Sequence, residues 1–423
     1  MSKPVVLLAT GTRGDVQPYV ALALALQERG IPVRLASDPA FQGWVSQYDL
    51  PFIPFDGNPS ALMTQPGGQS ALSYDGNILR SLDASLRYLR AARPVYRQML
   101  RSAWTVCQGA GAVLVGLPTL WGAYIAEALG IPCIYALMQP FSRTAAFPCS
   151  LLPIQAPNWP PLNRFSYILV EQAIWLPWRG LIKQWLRSEV HFSPATFSTP
   201  AAGLYEKQAY VVYAFSPHIV PRPSDWPVTH RLTGFWFIDP PPAWRPTPDL
   251  EQFLAPGQPP VYIGFGSTGL RRKQAAIAAI TRALEHTHVR AVIDLPRVDF
   301  PDSFDTRRVF FACGTPHSWL FARCSSAVHH GGAGTTAAAL RAGIPSLVVP
   351  LAADQFFWAN RVHSLGAGPQ PIPQRSLDGA KLAAGLDQLV GVPALADQAR
   401  HLSAAIQGEN GARQAAAIIG ACL

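Results

Sequence analysis

Short β-rich apolar runs alternate with helical patterns along this chain, and they do so twice, on either side of a proline-dense stretch. VVLLAT at 5–10 is followed by the turn GTRGDVQP and then by YVALALALQERG, a helical pattern ending at Gly30 as a C-cap would; IPVRLASD reads as a second strand. AVLVG at 112–116, WGAYIAEALG and IPCIYALM repeat the order strand, helix, strand. Continuous apolar runs lack the polar alternation of a half-wet sheet, and parallel neighbours need a helical crossover. The pattern therefore predicts an α/β chain with parallel sheets covered on both faces.

The interruption is equally informative. Residues 221–260 hold 11 of the 41 prolines, including the run at 240–242. Proline at that density stops helices and central strands, so the segment is expected to be a linker. After it VYIGFGS (261–267), QAAIAAITRALEH, VRAVIDL and SSAVHHGGAGTTAAALRAGIPSLVVPL restart the same grammar, and an Ala-rich helical tail follows from LDGAKLAAGLDQLV. The expectation is two doubly wound domains, 1–220 and 261–423, facing across a cleft, with room for the last helix to pack back on the first domain. Open parallel sheets bind ligands beyond the C-terminal ends of their strands, so the cleft is where chemistry is expected.

Composition narrows the partners. Lys and Arg outnumber Asp and Glu by 34 to 25, and the excess is spread evenly: 17 against 12 up to Asp225, 17 against 13 beyond it. That suits anionic small molecules or an acidic lipid surface, and no clustered basic-aromatic module points to nucleic acid. Cys107, Cys133, Cys149, Cys313, Cys324 and Cys422 are widely spaced with no metal-ligand pattern, which fits buried thiols in a reducing compartment. The apolar run behind Lys3 is too short for a signal-peptide core, and residues 111–138, the longest candidate span, are broken by Glu127, Gly130 and Pro132. A cytoplasmic protein, peripheral at most to a membrane, is expected.

HHGGAGTT at 329–336 lies between a strand and a good helix former. Amides at the start of a helix have no intrahelical partners and carry the positive end of its dipole, so a loop stripped of side chains lets a phosphate approach them. A histidine and two threonines add donors. A tight strand-to-helix turn with a capping Thr explains the glycines alone; the surrounding sequence favours the phosphate cradle.

That surrounding sequence, GTPHSWLFARCSSAVHHGGAGTTAAALRAGIPSLVVPLAADQFFWANRVHSLGAGPQPIP at 314–373, resembles the donor-nucleotide signature of nucleotide-sugar glycosyltransferases of the GT-B fold. It is most similar to the sterol and lipid glucosyltransferase branch, related to glycopeptide-antibiotic and plant natural-product enzymes, and GTRGDVQPYVALALALQERG resembles the branch's N-terminal hallmark. The resemblance implies two Rossmann-like domains, the first for the acceptor and the second for the donor. It implies that His330, with the amides of Gly332, Ala333, Gly334 and Thr335, holds the donor diphosphate, with the Thr335 hydroxyl on phosphate and Ser267 facing the same ligand. Asp354 and Gln355 match the pair that hydrogen-bonds the sugar hydroxyls. His317 lies in the segment bordering base and ribose, and Gly314 stands where plant members place a uracil-stacking Trp, which leaves base recognition to the backbone around Thr315 and Pro316.

Inverting sugar transfer needs a base for the acceptor hydroxyl, and Asp15 matches the family's base position, although Asp ahead of VQPYVALAL is also a good helix cap. No DxD motif occurs. Metal-independent turnover without a cofactor is therefore expected, with UDP-glucose as donor and a hydrophobic, hydroxylated acceptor such as a sterol, carotenoid, other terpenoid or lipid. A natural-product transferase using a deoxysugar, a nucleotide-sugar epimerase, and a non-catalytic lipid- or nucleotide-binding protein are the other readings. GTRGD with Asp38 imitates a dinucleotide fingerprint but lacks its third glycine.

Two further stretches bear on membranes. Arg80, Arg87, Arg90, Arg97 and Arg101 fall on one side of a helix that Pro94 should kink; a solvated face is the simpler account of the row. RFSYILVEQAIWLPWRGLIKQWLR at 164–187 mixes Trp175, Trp178 and Trp185 with Arg179, Lys183 and Arg187, which fits an interfacial or acceptor-pocket element and equally a core wall.

Overall fold

The computed structural model describes residues 3–57, 78–152, 159–194, 196–206, 210–255, 257–266, 273–301, 305 and 307–423, with side chains of 78–86 outside that description. The first sheet contains β1 (Val5–Leu8), β2 (Val33–Ser37), β3 (Phe52–Pro54), β4 (Ala112–Val115), β5 (Cys133–Leu137), β6 (Val211–Tyr213) and β7 (His230–Leu232) in the order β3-β2-β1-β4-β5-β6-β7. The second contains β8 (Val261–Gly264), β9 (Ala291–Asp294), β10 (Val309–Phe311), β11 (Ser326–His329) and β12 (Ser346–Val348) in the order β10-β9-β8-β11-β12. All pairings are parallel. Strand order reverses between β1 and β4 in one sheet and between β8 and β11 in the other. At those switch points the flanking crossovers leave in opposite directions and open a crevice, so the loops after β1, β8 and β11 are set to form the site.

The helices are α1 (Arg13–Glu28), α2 (Ile78–Cys107), α3 (Gly122–Leu129), α4 (Pro160–Ser188), α5 (Pro248–Leu254), α6 (Lys273–His286), α7 (Ala333–Ala342), α8 (Gln355–Ser364), α9 (Gly379–Gly391), α10 (Pro393–Gln407) and α11 (Gly411–Ala421). Each central strand is buried on both faces, as its unbroken apolar run demands. Val6 and Leu8 pack on one side with Leu100 and Ile125, while Val5 and Leu7 pack on the other with Val20 and Leu26. In the second sheet Val261 and Ile263 meet Ile280 and Leu284, and Tyr262 meets Leu320 and Phe321 on the opposite face.

The proline-rich stretch is more than a connection. His230–Leu232 adds β7 to the edge of the first sheet, a position where neighbouring prolines leave no central ladder bond unmade, and Pro248 starts α5 behind the capping Thr247. α2 runs through Pro94 as a single helix. The chain closes on itself: Ala415, Ala416 and Ile419 of α11 share the core of the first domain, and Arg413 pairs with Glu28 of α1 at 2.9 Å. Two side chains also tie the domains near this return. Arg361 donates from Nε to Ile219 O at 2.9 Å, and Glu409 accepts from Ser216 Oγ at 2.6 Å.

Candidate active site

β1 leads into Gly11, whose φ of +126° suits only glycine, and a Cβ there would lie 2.4 Å from Asp15 Oδ2. The missing side chain lets Asp15, in the first turn of α1, fold back on the loop. Its Oδ2 accepts from Thr12 N at 2.7 Å and from Thr12 Oγ1 at 2.9 Å, and Oδ1 has no protein partner among the described residues. Asp15 thus serves as the acidic half of a capping box, with one oxygen left for another donor. Burial raises its pKa above the ordinary carboxylate value, against the opposing bonds from Thr12. Asp38, the other half of the apparent dinucleotide fingerprint, accepts from Ala40 N at 2.8 Å and caps a short turn instead.

Across the crevice, β11 ends at His329, whose Nδ1 accepts from Gly331 N at 3.0 Å. Gly332 is the N-cap of α7 and offers no capping side chain, so the amides of Ala333, Gly334 and Thr335 project from the helix end toward the opening. His330 sits beside them in a slot made by two glycines. A Cβ on Gly266 would lie 2.5 Å from its Cε1, and one on Gly332 2.6 Å from its Nε2. Burial, with a smaller contribution from His317, lowers the His330 pKa to about 4, so the ring is neutral at pH 7. Its Nδ1 is buried without a partner, as is Thr336 Oγ1 one position beyond Thr335. An anion at the head of α7 would meet backbone donors and an imidazole whose protonation it favours. Ser267 lies outside the described residues.

On one flank of this cradle, Tyr262 OH donates to Asp294 Oδ2 at 3.0 Å and lies 3.0 Å from His317 Nε2, while Gly314 N donates to Asp294 Oδ1 at 3.1 Å. His317 stacks on Phe321 at 4.5 Å, and burial, then the charge of Arg13, lowers its pKa to about 4. Thr315 and Pro316 run half-buried between Gly314 and this ring, with Pro316 capping the turn that His317 begins. On the other flank Ala353 adopts a φ of +50°, a strained conformation for a non-glycine residue, immediately ahead of Asp354. Asp354 Oδ2 accepts from Trp358 Nε1 at 3.0 Å. Burial, reinforced by the negative charge of Asp15 and opposed by the Trp358 bond, raises its pKa to about 6. α1, which carries Asp15, also packs against α7, so elements of the two domains meet beside this loop. Gln355 uses its Oε1 on Leu351 N at 2.8 Å and Ala352 N at 3.2 Å, so its carbonyl shapes the loop and its amide nitrogen alone remains for a ligand.

The first domain also holds an apolar cavity of about 190 Å³ lined by Leu117, Pro118, Trp121, Phe141, Trp175 and Trp178 among others. Thr119 Oγ1 donates to Leu8 O at 3.0 Å and so couples the loop forming this wall to β1, the strand that leads into the turn before α1. The cavity contains one buried carboxylate, Glu171, paired with Arg143, whose Nε donates at 2.9 Å. Sequence spacing gave no hint of this pair. Trp175 and Trp185 are buried and Trp178 stacks on Tyr96 at 4.3 Å, so the tryptophans of 164–187 are wall and core, not an interfacial row. The arginine row is likewise partly engaged: Arg101 grips Glu189 with both nitrogens at 2.5 and 2.9 Å, and Arg97 donates to Gln184 at 3.2 Å, which holds α2 against α4. The Arg80 side chain lies outside the described residues.

Among the described residues no helix is long and apolar enough to cross a membrane, and no three His, Cys, Asp or Glu side chains converge as a metal site would require. Cys107, Cys149 and Cys324 are buried thiols, whereas Cys313 is exposed.

Residues 5–148 match the glycosyltransferase family 28 N-terminal domain, and residues 297–418 match the erythromycin biosynthesis protein CIII-like C-terminal domain. A sterol 3-beta-glucosyltransferase of Leptosphaeria maculans is 34% identical over 380 residues, covering 86% of this chain and 25% of its own length. The Arabidopsis thaliana sterol 3-beta-glucosyltransferase UGT80B1 is 33% identical over 425 residues, covering 96% and 66% respectively. The chain thus spans between about a quarter and about two thirds of the length of the curated relatives it matches. Among solved structures, the spinosyn forosaminyltransferase SpnP superposes with a TM-score of 0.67 at 18% identity, covering 100% of this chain and 99% of that one. The Streptomyces sp. SF2575 glycosyltransferase SsfS6, complexed with thymidine diphosphate, gives 0.63 at 18% identity with 99% of each chain covered. These likenesses give the two-domain GT-B fold.

Proposed function

Since the chain belongs to the nucleotide-sugar glycosyltransferases of the GT-B fold, we propose that it transfers glucose from UDP-glucose to the hydroxyl of a sterol or comparable apolar alcohol, inverting the anomeric carbon. The observation that carries this reading is that α1, with Asp15 in its first turn, packs against α7, whose N-terminus has no capping side chain. The diphosphate lies on the amides of Ala333, Gly334 and Thr335 beside His330; the base borders His317; the sugar hydroxyls reach Asp354 and the Gln355 amide. The acceptor's apolar body fills the cavity under Trp121 and Trp175, and its hydroxyl donates to Asp15 Oδ1. As the acceptor oxygen bonds to the anomeric carbon from one face, the carbon–phosphate-oxygen bond breaks on the other. The hydroxyl proton passes to Asp15, and the negative charge of the departing diphosphate is taken up by the helix amides and by His330, the logic of an oxyanion hole. Those donors support transfer without a divalent metal; full activity in EDTA is the expected result.

The named relatives are sterol 3-beta-glucosyltransferases, which supports the acceptor class, and a sterol's home in lipid supports peripheral contact with a membrane. The test is product analysis: the purified protein, UDP-glucose and a panel of sterols, terpenoid alcohols and glycerolipids, read by mass and by the anomeric configuration of the glycoside. A β-glucoside of a sterol is expected. A second reading has its own support, since a structural neighbour was solved with thymidine diphosphate and Gly314 offers no aromatic ring to the base. Thymidine-diphosphate deoxysugar turning over faster than UDP-glucose would establish it. Hydrolysis or epimerisation without an acceptor, or binding without turnover, would replace transfer altogether.

A further inference from the structure

The solvent face of α4 is divided lengthwise by chemistry. Phe165, Ile168, Leu169, Leu176, Arg179, Lys183 and Arg187 succeed one another at helical spacing, so they share one face of the helix. Its first half is apolar and open to solvent: Phe165 is 50% exposed, Leu169 52% and Leu176 57%, with Trp159 at the helix start 61% exposed. Its second half is cationic, with Arg179, Lys183 and Arg187 all exposed. The charged ends of Arg179 and Lys183 lie over the Phe197 ring at 5.9 and 5.8 Å, and both side chains stay exposed. The helix's one acid, Glu171, is buried on the opposite side with Arg143, and Arg164 is held by Asp225 at 3.0 Å. Large apolar side chains gathered on one exposed face are uncommon on a protein that meets only water.

We propose that this face docks on the surface of an anionic phospholipid bilayer. Phe165, Ile168, Leu169 and Leu176 enter the headgroup boundary with Trp159 as the aromatic anchor at one end, and Arg179, Lys183 and Arg187 lie over lipid phosphates. Resting on the proposed acceptor class, the geometry gives docking a purpose. The buried side of the same helix supplies Trp175 and Ile182 to the cavity wall, so the bilayer lies roughly one helix diameter, about 10 Å, from the cavity. A membrane that dissolves such an alcohol is then held within a helix's width of the cavity.

The test is co-sedimentation of the intact protein with phosphatidylcholine vesicles, with and without phosphatidylglycerol, across a salt series. Binding to the anionic vesicles that weakens with salt is expected. Replacing Arg179, Lys183 and Arg187 together with Gln lowers partitioning about 100-fold, and Phe165→Asp with Leu169→Asp and Leu176→Asp lowers it at least about tenfold. Both variants keep the wild-type unfolding midpoint and the wild-type rate on a detergent-dispersed alcohol. Wild-type protein that stays in the supernatant at low salt, variants that bind like wild type, or a lipid-free dimer abolished by the apolar variant would overturn the proposal, the last by assigning the face to a second copy. Vesicle binding without transfer to any alcohol would overturn the acceptor reading and leave the surface standing, whereas transfer without vesicle binding would do the reverse.

Discussion

Asp15 answers to two demands at once, and the geometry lets both be met. Oδ2 closes the first turn of α1 through Thr12, and Oδ1 has no protein partner among the described residues. Asp15→Asn keeps a carbonyl oxygen for Thr12 N, so the fold and donor affinity should hold while transfer falls by about 10²–10⁴ for loss of a general base; donor titration beside initial rates checks the split. If they line the donor site as proposed, Asp354 and His330 should give it opposing pH dependences. A phosphate beside His330 favours its charged form, so UDP takes up protons on binding and tightens as pH falls from 7 toward 5. Asp354, with its pKa at about 6, is ionised above that pH and protonated below it. The added affinity that glucose confers over UDP alone should therefore be present above pH 6 and fade beneath it. Calorimetry with UDP and UDP-glucose tests both slopes, and Asp354→Asn should flatten only the second. At this scale the two strand-to-helix loops of the proposed site were legible because each is a contiguous motif. Tyr262 with Asp294, and Glu171 with Arg143, were not, since strand register and helix docking bring them together from distant positions.

Elements follow the same division. β1, β4, β8 and β11 were evident as unbroken apolar runs, and α1 and α7 as helical patterns between glycines. Three-residue strands such as β3, β6, β7 and β10 carry too few side chains to show a period; they exist because a neighbouring edge offers backbone partners. α2 passes through Pro94 because packing of its Tyr96, Met99 and Leu100 outweighs one missing ladder bond. The loop after β8 shows how tightly elements are matched at the site. Gly266 has φ +63° and no room for a Cβ beside His330. Gly266→Ala should cost about 1–2 kcal/mol from the left-handed backbone alone and displace the imidazole, so UDP affinity drops in step with the unfolding midpoint; unchanged UDP binding would mean that His330 does not contact the nucleotide.

The molecule as a whole places two switch points opposite each other and then locks the arrangement by returning its last helix to the first domain. That return could be anticipated from the Ala-rich tail only as an option, since nothing local says which surface such a helix covers. Ile419 is fully buried against the α1 side of the first sheet, so Ile419→Asp, which buries an unpaired charge, should lower the unfolding midpoint by at least about 4 °C as followed by differential scanning calorimetry. On the proposed function, the crevice between the β1 and β11 loops receives a nucleotide sugar, phosphate on the head of α7 and reacting carbon toward Asp15. A crystal structure of the protein with UDP tests it most directly. Phosphate oxygens within hydrogen-bonding distance of the Gly334 and Thr335 amides and of His330, with the Asp15 carboxylate facing the terminal phosphate across the crevice, are the predicted result; UDP bound elsewhere, or Asp15 turned away from it, would contradict the account.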